Sequence, residues 1–283
     1  MKIWLRAGFG ALAMGFALGC SITVSEAGWG GRIVPALACA VVVILLIRPV
    51  RRRQELGLQR AGRGLLSGLL VTGGSAVVVL GAGTVAGWIT WGHFELHRVL
   101  LFLLTNTVIA LLLEALPEEL SLRGHTWSAL RSRYGGLLSA VGTTALFLLV
   151  PGIASAVQLV LGTIFEQNTQ ELSLVPPGED PVAYLFLLTI FGFTLIAARA
   201  ATGSLWASVA THLTFLTVNR LTVDRPSRYW LVRDAGWSAT VINQDVLLLV
   251  PAYLVLAAVV YYVQSLMSRP ALSLASSLPQ RDK

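Results

Sequence analysis

Apolar residues occur along this chain in long blocks that are separated by short polar stretches. Eight of these blocks approach or exceed the length of about 20 residues that an α-helix needs to cross the hydrocarbon core of a bilayer. They cover residues 7–24, 33–47, 64–88, 99–116, 137–164, 182–198, 203–219 and 241–263. The pattern predicts an all-α fold, a polytopic transmembrane bundle of about eight helices that forms one integral membrane domain over residues 1–283.

Two of the blocks have internal features that refine this prediction. The block at 137–164 is longer than one span requires and has Pro151-Gly152 at its centre, which predicts a kinked or broken helix. The first block follows Lys2 and Arg6, as in a signal peptide, and Gly19-Cys20 resembles a lipoprotein cleavage site. Because further spans follow, we expect the first block to be retained as a membrane helix.

The composition places the chain in the class of integral membrane proteins. Hydrophobic residues make up 55% of its 283 residues and charged residues only 12%, which is more apolar surface than a water-soluble core can use. The net charge of +7 comes largely from arginines in loops beside the apolar blocks, so it indicates membrane orientation and contact with anionic lipid, not nucleic-acid binding. Cys20 and Cys39 lie inside apolar blocks, which argues against a disulfide framework or a cysteine metal site.

The distribution of charge between the blocks predicts the topology. The loop at 48–63 contains six arginines, and by the positive-inside rule it is cytoplasmic. Both termini are then cytoplasmic, including a tail at 268–283 that we expect to be mobile. The loop at 165–181 is acidic, as expected outside, whereas the loop at 220–240 conflicts with its external position because it carries four arginines. The predicted location is a prokaryotic cell membrane, which the chain crosses several times.

A cluster of charged residues follows the fourth apolar block. It contains three glutamates and one arginine, and charges at the edge of a membrane segment are costly unless they are paired, hydrated or used in chemistry. Glu119 and Arg123 are spaced i,i+4 and are expected to pair, which leaves Glu118 free. Glu114 and His125 are expected to share the helix face of Glu118, at offsets of minus four and plus seven. A salt bridge that anchors a helix end is the alternative interpretation of this cluster.

The sequence of this cluster resembles a known motif. The run Glu118-Glu119-x-x-x-Arg123-Gly124, preceded by Pro117 and embedded in a polytopic membrane chain, resembles the first motif of the CPBP intramembrane proteases. That family includes the CAAX prenyl endopeptidases of the Rce1 type and the bacterial Abi proteins. The resemblance covers residues 100–219 and implies a protease core built from membrane helices.

The other two motifs of the family, F-x-x-x-H and H-x-x-x-N, are matched only in part. Gly203-Ser204-Leu205-Trp206 resembles the lead-in to the histidine of the third motif, which His212 matches. Phe147 aligns with the phenylalanine of the second motif. However, Pro151 stands where that motif has histidine, and Leu216 stands where the third motif has asparagine.

The resemblance implies a role for each matched residue. Glu118 corresponds to the glutamate that activates water. Glu119 and Arg123 correspond to the residues that hold the motif in shape, and His212 to the histidine that polarises the carbonyl or binds metal. Peptide hydrolysis needs an activated water, a group that stabilises the oxyanion and a proton donor for the leaving amine.

Two further residues are candidates for the groups that the motifs lack. Asn219 lies seven residues after His212, on the same helix face, and is placed to supply an amide from further along the helix. His125 is the candidate partner of Glu118 in place of the absent histidine. A catalytic zinc usually has three protein ligands, so zinc requires Glu118, His212 and either Glu119 or His125, and we assign no metal or other cofactor.

Two functions of different class are consistent with these residues. In the first, the chain is an intramembrane endopeptidase that hydrolyses a peptide bond of a membrane-bound or prenylated-type substrate, with Glu118 activating water. Its partner is then a peptide or protein within or at the membrane. In the second, the chain is a catalytically inactive relative that binds a membrane partner. A small transporter is disfavoured because no inverted repeat is visible.

Overall fold

The computed structural model of the chain describes residues 2–26, 31–167, 171–176, 178–222, 239–241 and 246–267. Its helices are α1 (Lys2–Glu26), α2 (Ile33–Ile47), α3 (Ala61–Val85), α4 (Leu96–Arg131), α5 (Gly136–Leu148), α6 (Val150–Ile164), α7 (Pro181–Thr202), α8 (Leu205–Thr222) and α9 (Val246–Met267). A 3₁₀ turn, Pro49–Arg52, follows α2, and the described residues also include the short strands β1 (Ile89–Trp91) and β2 (Ala239–Val241).

The predicted all-α membrane bundle is confirmed, because each of the eight apolar blocks forms a helix or, at 137–164, a pair of helices. Within the described residues, six helical stretches are long and apolar enough to cross a membrane, namely α1, α3, α4, α5 together with α6, α7 and α9. Helix α2 has only 15 residues. Helix α8 carries His212 and several threonines, and it tolerates them because neighbouring helices bury much of its surface.

Helix α8 packs against α3, α4 and α7. Two glycines let α3 approach it closely. A methyl group on Gly64 would come within 2.5 Å of Ser204 Oγ, and one on Gly68 would come within 2.5 Å of Ala207 O. Small residues at such contacts are the usual means by which membrane helices pack. The position of side chains on α8 is therefore fixed by tight helix contacts.

The predicted break at Pro151 is present. Helix α5 ends at Leu148 and α6 begins at Val150, so Leu149 separates them. Pro151 lies in the first turn of α6, where its missing N–H removes no helical hydrogen bond. The two helices have different main neighbours: α5 packs mostly against α7, whereas α6 packs mostly against α1.

Residues 53–59, which we name the strap, cross one end of the bundle between α2 and α3. Leu56 of the strap is fully buried in the hydrophobic core. Its side chain and that of Leu205 both approach Gly124 of α4, where a methyl group would lie only 3.1 Å from Leu56 Cδ2. The strap is therefore packed directly on the helix that carries the glutamate motif.

The run Gly203-Ser204-Leu205-Trp206 holds the strap at the start of α8. Three of its groups donate hydrogen bonds to strap carbonyls: Leu205 N–H to Gly57 at 2.8 Å, Trp206 Nε1–H to Leu58 at 3.0 Å and Ser204 Oγ–H to Gln59 at 3.1 Å. These bonds fix the beginning of α8 two helical turns before His212. The run that was singled out in the sequence thus has a structural role.

Two features of the structure differ from the sequence prediction. Strands β1 and β2, which were not predicted, pair antiparallel with Ile89 opposite Val241. Arg220 was assigned to an external loop, and this was wrong, because α8 continues to Thr222. The other three arginines of that loop and the predicted tail at 268–283 lie outside the described residues.

Candidate active site

The glutamate motif lies on a part of α4 whose backbone departs from α-helical geometry. Leu111–Ala115 and Glu119–Thr126 are π-helical, and the rest of α4 is α-helical. In a π-helix each N–H bonds to the carbonyl five residues back, as Trp127 does to Leu122. The turns are wider, so residues seven apart no longer share a face. Such turns occur often at functional sites.

Glu119 is the carboxylate that joins the polar groups of the site. It is fully buried, and its Oε1 accepts a hydrogen bond from Arg123 Nη1 at 3.3 Å, the pair expected from their spacing. The same oxygen lies 3.1 Å from Nδ1 of His212 on α8. An ionised carboxylate only accepts hydrogen bonds, so we assign Nδ1 as the donor. This leaves Nε2 of the imidazole for another partner.

Glu118 has a more open position than its neighbour. Its Oε2 lies 4.0 Å from His212 Nδ1, and its side chain is 13% exposed whereas that of Glu119 is 0% exposed. Within the described part of the chain, no lysine or arginine forms a direct ion pair with it. The structure thus brings Glu118 and His212 together from two different helices.

Arg123 has an aromatic partner in addition to Glu119. Its guanidinium carbon lies 4.5 Å from the centre of the Phe147 ring, a cation–π contact in a fully buried setting. Phe147 therefore supports the site from α5. Arg123 Nε and Nη2 and Glu119 Oε2 have no hydrogen-bond partner among the described residues. The pair thus has buried polar atoms that the described part of the chain does not satisfy.

His212 has an aromatic contact that was not predicted from the sequence. Phe191 of α7 meets the His212 ring edge-on, with 4.8 Å between ring centres and 88° between planes. Phe191 is in turn stacked on Phe215 at 4.1 Å. Together these contacts restrict the orientation of the imidazole. No signal in the sequence distinguishes Phe191 from the other phenylalanines of its apolar block.

The interpretation of His125 as a partner of Glu118 is wrong. Its Nε2 lies 3.0 Å from the carbonyl oxygen of Arg6, its Nδ1 lies 3.3 Å from Arg52 Nη1, and its ring contacts Phe9 edge-on at 5.8 Å. The prediction assumed α-helical spacing, whereas the backbone from Glu119 onward is π-helical. His125 therefore faces α1 and the turn after α2.

Glu114, which was expected on the face of Glu118, is neutralised by a cation from α8. Its Oε1 lies 2.5 Å from Arg220 Nη2. Arg220 Nη1 donates to Asn106 Oδ1 at 3.1 Å, and Asn106 donates to Thr217 Oγ1 at 3.1 Å. In the described part of the chain, Glu118 is therefore the carboxylate of the cluster that has no direct ion pair to an arginine.

Asn219, the candidate substitute for the missing asparagine, contacts a different helix. Its Oδ1 accepts a hydrogen bond from the Tyr253 hydroxyl of α9 at 2.8 Å. No hydrogen bond joins it to Glu118 or His212 within the described residues. Asn219 thus contributes to the packing of α8 on α9.

The donor set does not form a zinc site. Among the described residues, no group of three or more His, Cys, Asp or Glu side chains has an arrangement that could hold a metal ion. The zinc ligand set that included His125 is wrong because both ring nitrogens of His125 face other partners. In the other candidate set, which is Glu118, Glu119 and His212, the Oε1 atom of Glu119 already contacts Arg123 and His212.

Comparison with known proteins identifies one family. Residues 98–218 match the family model of the Rce1-like type II CAAX prenyl endopeptidases. The matched segment runs from α4 to α8 and contains the glutamate motif, Phe147 and His212, whereas Asn219 lies just beyond it. No curated protein and no solved structure matches the chain.

Proposed function

This chain is a multi-pass membrane protein of the Rce1-like family of CAAX-type intramembrane proteases, and from that premise we propose that it hydrolyses peptide bonds with Glu118 as the base that activates water. The observation that carries the proposal is the difference between the two adjacent glutamates. Glu119 is enclosed and bonded to Arg123 and His212, whereas Glu118 is partly exposed and lies beside the same histidine.

The proposed reaction uses the two glutamates and the histidine in separate roles. Glu118 takes a proton from water, and the resulting hydroxide attacks the carbonyl carbon of the scissile bond. His212, oriented by Glu119 and Phe191, acts as the imidazolium: its Nδ1–H donates to Glu119, and its Nε2–H donates to the oxyanion and stabilises it. When the C–N bond breaks, Glu118 returns its proton to the leaving amine, so that the site ends in its starting state.

The proposed substrate is a membrane-bound peptide of the prenylated type. A groove of about 990 Å³ runs between α3, α4 and α8 and is lined almost entirely by apolar side chains and threonines. Leu213, the residue after His212, lines this groove, as does Thr217 further along α8. A lipid chain attached to the peptide fits such a surface by burial of apolar area.

Cleavage of a prenylated peptide by the full chain reconstituted in liposomes tests this function. Glu118→Gln is expected to lower the cleavage rate by about a hundredfold or more, since general base catalysis contributes at least that much. Glu95→Gln is the matched control, because Glu95 is an exposed carboxylate paired with Arg98 away from the site. Equal rates for wild type and Glu118→Gln would refute the assignment of Glu118. Absence of cleavage by wild type would favour the inactive, partner-binding alternative.

A further inference from the structure

A second cavity lies at the end of the bundle that carries the strap. It has a volume of about 430 Å³ and is separate from the glutamate motif. Its polar lining comes from six residues: Arg60, Arg63, Ser67, Thr202, Ser204 and Gln264. Among the described residues no acidic side chain lines it, so this lining carries positive charge.

The cavity lies at the level where the membrane-spanning helices end. The spans Ala61–Val85, Pro181–Thr202 and Leu248–Met267 each begin or end at its wall. The hydrocarbon core of a bilayer gives way to phosphate-bearing headgroups at the ends of such spans. A ligand in the cavity therefore meets both the headgroup region and water.

The two arginines of the cavity are available to a ligand. Both are exposed, and within the described part of the chain neither forms an ion pair. Arg60 directly precedes α3 and its side chain does not cap that helix. The first N–H groups of α3 add partial positive charge on the same side.

Hydrogen bonds stabilise the part of the cavity wall formed by residues 202–204. The N–H of Ser204 donates to Thr202 Oγ1 at 3.1 Å, and Ser204 Oγ–H donates to the Gln59 carbonyl of the strap. Gly64, between the arginines and Ser67, allows α3 and α8 to approach closely. These contacts set the shape of this side of the cavity.

We propose that this cavity is a binding site for the phosphate group of an anionic lipid headgroup. Guanidinium groups bind phosphate oxygens through paired hydrogen bonds, and the Ser67 hydroxyl and the Gln264 side chain lie in the same cavity. This localises lipid contact to Arg60 and Arg63 within a loop that contains four other arginines. The proposal is independent of peptide hydrolysis, since the cavity shares no residue with the catalytic groups.

Thermal unfolding of the full chain in detergent tests the site, with phosphatidylglycerol, phosphatidylcholine or inorganic phosphate added separately. Phosphatidylglycerol is expected to raise the Tm of wild type. The variant R60Q/R63Q is expected to need a lipid concentration on the order of tenfold higher for the same rise. The matched control, R51Q/R53Q, removes two exposed arginines of the same loop outside the cavity, and it is expected to respond as wild type does.

An equal loss of response in both double variants would overturn the proposal, because it would show that lipid is attracted by the summed charge of the loop. No rise in Tm of wild type with phosphatidylglycerol would also overturn it. A rise with inorganic phosphate alone would assign the site to free phosphate and contradict a lipid ligand. If R60Q/R63Q does not fold, R63Q alone, measured in the same way, decides between these results.

Discussion

Glu118 and Glu119 are adjacent in sequence, yet the fold gives them different surroundings. Glu119 is held by Arg123 of its own helix and His212 of α8, and all three side chains are almost wholly buried. A buried charge is tolerated when it is paired and hydrogen-bonded, so Glu119 serves to organise the site. Within the described residues Glu118 has no arginine partner and it is partly exposed, which suits a group that must exchange a proton with water. The chemistry of the two carboxylates therefore differs because their partners differ.

Phe191 is predicted to act as a positioning residue for His212. Phe191→Leu removes the ring that meets the imidazole edge-on, so we expect kcat to fall by about tenfold with little change in KM, since small displacements of a catalytic group are costly. Phe186→Leu is the matched control on the same helix, because Phe186 is exposed on the outer surface. The measurement is the cleavage rate as a function of substrate concentration. Equal kcat values for the two variants would contradict this role.

The strap and the π-helical turns are the elements that set the geometry of the site. The π-helical backbone of α4 presents Glu118 and Glu119 to α8 while directing His125 toward α1. The strap connects this part of α4 to the start of α8, because Leu56 packs against Gly124 and three strap carbonyls accept hydrogen bonds from α8 and its lead-in. The distance between the glutamate motif and His212 thus depends on the strap, a loop segment that contains no catalytic residue.

Gly57→Ala is predicted to disturb this arrangement. Gly57 has a φ of +72° and lies against the guanidinium of Arg199, so a methyl group there meets both backbone strain and a collision. Gly31 also has a positive φ, of +60°, but has open space around it. We expect Gly31→Ala to lower the free energy of unfolding by about 1 kcal/mol. Gly57→Ala is expected to lower it by about a further 1 kcal/mol, because the guanidinium of Arg199 has to move aside, with a loss of cleavage activity.

Thermal unfolding and cleavage assays on both variants check this prediction. Equal Tm values for Gly57→Ala and Gly31→Ala would contradict the prediction, because they would show that the strap accommodates the added methyl group. Unchanged cleavage by a destabilised Gly57→Ala variant would show that the strap does not position the site.

For the whole molecule, the sequence was sufficient to predict the membrane class, the helical spans, the break at Pro151 and the residues of the glutamate motif. These depend on local composition and on short-range spacing. The role of His125 was mispredicted because α-helical periodicity was assumed where the backbone is π-helical. Phe191, Arg220 and the strap depend on contacts between segments far apart in the chain. Such contacts carry no local signature in one sequence.

The central claim is that Glu118 and His212 act as one unit, and a double-mutant cycle on the cleavage rate tests it most directly. Wild type, Glu118→Gln, His212→Gln and the double variant are compared in liposomes, with thermal unfolding as the check that each variant is folded. When two residues act together in one step, replacing either one already removes the rate contribution of both. We therefore predict that the double variant is no slower than the slower single variant. Rate losses that multiply independently, or a Glu118→Gln variant as fast as wild type, would contradict the account.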